Sequence, residues 1–150
     1  MASFQNHNRC SFYWKDKVCG ESRGKDEMLS LSECNSDVSN HLRFCNMSRS
    51  GNMGKITEWQ LILARAGKFN ISEKELLQTK ICSRHRQSLG KYWSPPKTCQ
   101  FPEHEGRKTT LHSKRAVNLE ISEKILKLFG VTVAAGSRKF NEPCKTWLFV

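Results

Sequence analysis

The sequence predicts a small α+β domain with three short helices, one or two strands and long loops, and three observations carry that expectation. Apolar residues recur at helical spacing behind side chains that cap helices. A segment holding Pro95, Pro96 and Pro102 must run mostly as loop, and the β-branched run Val131, Thr132 and Val133 reads as a strand.

Residues 1 to 55 are polar and rich in Ser, Asn, Gly and Cys, so they are expected to form a partly ordered N-terminal region ahead of a basic domain spanning residues 56 to 150. Thr57 with Gln60 makes a capping box, Trp59, Leu61, Leu63 and Ala64 supply an apolar set, and Gly67 supplies a stop, which together place a first helix over residues 58 to 66. Ser72 with Glu75 starts a second short helix that carries Leu76 and Leu77 and delivers the chain to Ile81 and Cys82. Leu119, Ile121, Ile125, Leu128 and Phe129, ended by Gly130, describe a third.

The composition narrows the function classes. No run of apolar residues approaches the roughly 18 that span a bilayer, and the opening residues lack the hydrophobic stretch of a secretory signal, so an intracellular, nuclear protein without a membrane partner is expected. Seven cysteines in a reducing compartment point to metal ligation or buried thiols and away from a disulfide framework. The formal charge is +11 and lies mainly in the second half: residues 1 to 79 hold 11 basic against 9 acidic side chains, whereas residues 80 to 150 hold 14 against 5. Such a field attracts nucleic acid or an acidic protein, and a solvated basic surface would carry the same count.

A structural zinc ion takes four N or S donors in a tetrahedron, and two donors separated by two residues fit one turn of chain. Cys82-Ser83-Arg84-His85 has that spacing, and Cys99-Gln100-Phe101-Pro102-Glu103-His104 offers a second pair, so Cys82, His85, Cys99 and His104 are the expected ligands of one zinc. Cys144 or His112 could replace one of them. A second site drawn from Cys10, Cys19, Cys34, His41 and Cys45 has no paired spacing behind it, and buried thiols are the plainer reading of those residues.

Around these positions basic and aromatic side chains interleave. Arg84, Arg86, Lys91, Arg107, Lys108, Lys114 and Arg115 are candidate phosphate contacts, while Trp93 is expected to pack over the metal site. Catalysis has little to rest on: His112 with Asn118 could serve a metal-dependent nuclease, but no acidic pair, phosphate-cradling Gly-rich loop or nucleophile motif stands in the chain.

Cys82-Ser-Arg-His85-Arg86, Leu89-Gly90, Trp93, Cys99-x-x-Pro102-x-His104, the helix leading to Gly130-Val131-Thr132-Val133, and Gly136-Ser137 together resemble an uncharacterised Cys/His-rich domain of invertebrate proteins, some of them related to mobile elements. The resemblance covers roughly residues 57 to 144; the pattern has Pro where this chain has Ser83, and a paired Cys-x-x-Cys where only Cys144 stands. It implies zinc binding and a nucleic-acid context. The expected function is therefore a zinc-stabilised module that binds DNA or RNA through phosphates, with a zinc-organised interaction module for an acidic protein as the alternative and a nuclease as the third reading.

Overall fold

The structure, a computed structural model, describes residues 10–16, 19, 28–45, 47, 56–96 and 116–137. It is a small α+β domain. In chain order its elements are α1 (Tyr13–Asp16), β1 (Met28–Ser30), a 3-10 turn (Leu31–Glu33), α2 (Ser39–Phe44), α3 (Glu58–Arg65), α4 (Glu73–Gln78), β2 (Lys80–Cys82), α5 (Ser83–Leu89) and α6 (Leu119–Phe129). The two strands pair antiparallel with Leu29 opposite Ile81, so a segment near residue 29 is stitched to one more than fifty residues later.

The capping chemistry explains the helix boundaries. Thr57 Oγ1 accepts the Gln60 amide at 3.2 Å while Gln60 Oε1 accepts the Thr57 amide at 2.9 Å, the reciprocal arrangement that satisfies two otherwise orphaned donors at the start of α3. The helix closes in a Schellman turn: the Lys68 amide donates to the Leu63 carbonyl at 2.9 Å and the Gly67 amide to the Ala64 carbonyl at 3.0 Å. Gly67 holds φ at +80°, and a Cβ there would stand 2.7 Å from Thr132 Oγ1. Asn118 accepts the Ile121 amide at 2.8 Å to open α6, and Gly130, at φ 66°, ends it. That capping bond gives Asn118 a structural task, whereas His112 lies outside the described residues.

The expected strand at residues 131 to 133 does not form, because this segment serves as the lid of α6: Val133 is buried with Val117 and Ile125, and its carbonyl accepts Ser122 Oγ at 2.6 Å. Backbone bonds from Val117 to the Ser137 carbonyl (2.8 Å) and from Gly136 to the Val117 carbonyl (2.7 Å) fasten the two ends of this unit together.

Helix α3 is the shared wall of two cores. Ile62, Leu63 and Ala66 pack with Cys10, Phe12, Leu31, Cys34, Ile81 and Leu89, while Leu61 packs with Val38, Leu42, Cys45, Met47 and Ala135. Described residues from the first 55 positions thus sit in the same apolar clusters as the helices that follow them.

Arg65, the last residue of α3, is fully buried between these cores. Its guanidinium donates to the carbonyls of Ala135 (3.0 Å), Leu89 (2.8 Å) and Gly90 (2.9 Å), lies 2.9 Å from His41 Nε2, and is covered by the Trp93 ring at 4.1 Å. A buried cation is tolerable only when its donors are met, and here carbonyls and a neutral imidazole meet them. Burial pushes Arg65 down to about 10, still charged at neutral pH. Trp93, expected over the metal site, instead belongs to the core around Leu61 and Leu42. Gly136 makes that packing possible: at φ +98° it brings backbone to where a Cβ would meet the Trp93 ring at 2.8 Å.

Candidate metal centre

Cys82 ends β2 and is at the same time the N-cap of α5, so His85 falls on the first turn of that helix and its side chain returns toward the cap. Cys82 Sγ accepts the His85 amide at 3.5 Å and stands 3.2 Å from His85 Nδ1. The two-residue spacing thus brings two donors together, on a helix start.

Cys10 and Cys19 complete the group. Cys10 Sγ lies 3.2 Å from His85 Nδ1, Cys19 Sγ lies 3.8 Å from the same nitrogen, and the two sulfurs are 3.5 Å apart. All four donor atoms fall within 4.8 Å of one another, and this is the sole such group among the described residues. Tetrahedral bonds of about 2.3 Å to sulfur and about 2.0 Å to nitrogen place neighbouring donors about 3.5 to 3.8 Å apart; the Cys19 separations of 3.5 and 3.8 Å match this, and the two 3.2 Å approaches to His85 Nδ1 are a few tenths of an ångström shorter. A disulfide would need sulfurs at about 2.05 Å. The cluster could hold a metal ion.

The surroundings suit thiolates. The Phe12 amide donates to Cys10 Sγ at 3.4 Å and the Cys10 amide to Cys19 Sγ at 3.4 Å, the kind of outer contacts that fix ligand orientation and offset negative charge. Phe12, fully buried, holds its ring 6.4 Å from the His85 ring and keeps one side of the cluster dry. Burial pushes the Cys10 thiol up to about 12, a cost to ionisation that a bound cation would reverse.

Of the expected ligands, Cys82 and His85 are brought together; Cys99 and His104 lie outside the described residues, as do Cys144 and His112. The five N-terminal residues weighed as a second site divide three ways. Cys10 and Cys19 join Cys82 and His85, Cys34 is a buried thiol that burial pushes up to about 11, and His41 with Cys45 faces Arg65. Cys10 and Cys19 were not legible as ligands because nothing in their spacing says which partners they meet. The signal that could have marked them is the apolar Phe12 beside Cys10.

Of the expected phosphate contacts, Arg84 and Lys91 are exposed. Arg86 is held by Glu58, with Nε 2.8 Å from Oε2 and Nη2 2.9 Å from Oε1, and Nη2 also donates to Ser36 Oγ at 3.2 Å. Burial alone would raise the Glu58 carboxyl, but the bonds from Arg86 and from the Ser36 amide outweigh it and hold the group below the usual carboxylate range. Arg107, Lys108, Lys114 and Arg115 lie outside the described residues.

Fold and centre together define a small α+β domain with a Cys3His cluster able to hold a metal ion. No protein family, curated protein or solved structure matches the chain. Among the described residues no helix is long and apolar enough to cross a membrane.

Proposed function

We propose that the protein is a zinc-stabilised nucleic-acid-binding module in which Cys10, Cys19, Cys82 and His85 hold the ion. The observation that carries the reading is the cluster itself: three sulfurs and one imidazole nitrogen, all within 4.8 Å of one another, with Cys10, Cys82 and His85 buried and Cys19 half-buried. Cys3His sets are structural zinc sites, closed to substrate, because four protein donors leave no open position. In this reading Cys99 and His104 are not ligands of that ion, since its four positions are taken.

Nucleic acid is the partner that the charge favours. A formal +11, with exposed Arg84 and Lys91 and the basic residues Arg107, Lys108, Lys114 and Arg115 further along, suits phosphate neutralisation. Elemental analysis of the purified chain tests the metal, with about one zinc per chain expected. Retention on DNA and RNA across a salt series tests the partner. Binding through phosphates falls steeply with salt, and salt-independent retention or none sinks this half of the reading.

One observation favours a second reading, a zinc-organised module for an acidic protein. A cleft lined by Trp59, Leu63, Phe69, Ile71 and Leu119, together with Lys68 and Glu123, offers apolar surface on which a protein partner could dock, with Lys68 available to an acidic side chain. A discrete protein partner together with no affinity for either nucleic acid would decide for it.

A further inference from the structure

The last turn of α2 and the turn after α5 display side chains of one chemical kind. Phe44 and Tyr92 are each 62% exposed, and their sequence neighbours Arg43 and Lys91 are exposed as well. A single exposed ring is ordinary. Two rings and two cations carried by two joined segments are not, and Arg65 is what joins the segments. Its guanidinium lies 2.9 Å from His41 on α2 and donates to the carbonyls of Leu89 and Gly90 at 2.8 and 2.9 Å, so both segments are fastened to the same buried anchor. Trp93 completes the fastening, packed with Leu42 and Cys45 in one core. Arg43 and Phe44 therefore leave α2, and Lys91 and Tyr92 leave the turn after α5, from two segments held to the same buried side chain.

The rest of the neighbourhood agrees. The Phe44 ring stacks on His41 at 30° and 6.4 Å between centroids, which orients it without hiding it. The acidic member of the patch, Asp37, is engaged by the Ser39 amide (2.9 Å) and hydroxyl (2.6 Å). Those bonds hold its carboxyl low, and the charges of Lys91 and Arg43 add to the effect, so both cations share its surroundings. Trp14, also exposed, has the Lys68 ammonium 5.8 Å over its ring.

We infer that Arg43, Phe44, Lys91 and Tyr92 form a stacking surface for the unpaired bases of single-stranded nucleic acid. The rings supply sequence-tolerant stacking and the cations follow the phosphates on either side. Duplex DNA hides its base faces and would meet only the cations. The inference rests on the nucleic-acid reading above and adds the state of the strand to it.

Fluorescence anisotropy with a labelled oligothymidylate, an oligouridylate and a duplex of equal length tests it, using the full chain loaded with zinc. Phe44→Ala/Tyr92→Ala is expected to weaken single-strand binding by about 10- to 100-fold and duplex binding by less than about 3-fold. Arg43→Gln/Lys91→Gln should flatten the slope of log affinity against log salt for single strands by about 1.4. Trp14→Ala should change neither affinity. Zinc content and melting temperature of each variant confirm that these surface changes leave the fold intact. Wild-type affinity for single strands in Phe44→Ala/Tyr92→Ala, or an equal loss on duplex, overturns the stacking surface while leaving the nucleic-acid reading in place. A wild-type chain that binds none of the three probes overturns both.

Discussion

Cys10 Sγ and His85 Nδ1 lie 3.2 Å apart although 75 positions separate them in the chain. Closing so long a loop is costly in chain entropy, and the strand pair of β1 with β2, three residues each, is too short to meet that cost by itself. A metal held by both ends would therefore contribute folding free energy directly. Removing it with a chelator, or substituting Cys10→Ser, should lower the melting temperature by about 10 °C or more, read by differential scanning fluorimetry. An unchanged melting curve after verified metal removal would show that the cluster is no staple.

The ligand assignment separates from the alternative by metal content. Cys10→Ser, Cys19→Ser and His85→Ala should each lose most of the bound zinc, whereas Cys99→Ser and His104→Ala should retain about one ion per chain. If Cys99→Ser empties the chain as Cys10→Ser does, the four-donor set described above is wrong.

Arg84 and Arg86 are two residues apart and should behave differently. Arg86→Met leaves the Glu58 carboxylate, 4% exposed, without its bidentate partner and should cost about 2 kcal/mol in urea denaturation. Arg84→Gln, on an exposed position, should leave stability within about 0.5 kcal/mol and act only on nucleic-acid affinity. Equal stability effects for the two would count against the structural part given to Arg86.

His41 gives the fold a pH dependence of its own. Burial, with Arg65 and Lys91 adding to it, pushes its imidazole down to about 4, whereas an unfolded histidine titrates near about 6.5. Below that value the unfolded chain takes up a proton that the folded chain refuses, so stability is fully present above about pH 6.5 and is lost as the pH falls toward the folded value. The loss reaches at most about 3 kcal/mol. Thermal melts of wild type and His41→Gln between about pH 7 and 5 isolate this contribution, because protonation of the metal ligands is common to both. Parallel pH profiles would mean that His41 is solvated in the folded chain.

The parts of the fold governed by local chemistry were legible in the sequence. The Thr57 cap and Gly67 stop predict α3 to within a residue, the Ser72 cap predicts the start of α4 and the Gly130 stop the end of α6, because capping is decided over a few neighbouring positions. Of the centre, Cys82 and His85 were visible for the same reason. Cys10, Cys19 and the β1 to β2 pairing were not, since they join segments more than fifty residues apart and leave no periodic trace. Val131 and Val133 misled for a physical reason: β-branched residues suit any extended, half-buried backbone, and here that backbone covers a helix and pairs with neither strand of the described residues.

The span between the donors also has a meaning in time. During synthesis Cys19 leaves the ribosome 66 residues ahead of His85, and at about 5 to 20 residues per second that interval is roughly 3 to 13 s. For those seconds Cys10 and Cys19 wait without Cys82 and His85, and neither the pairing of β1 nor the first core can form until β2 emerges. The first core, which needs Ile81 and Leu89 as well as Phe12 and Leu31, closes only after β2 and α5 have emerged.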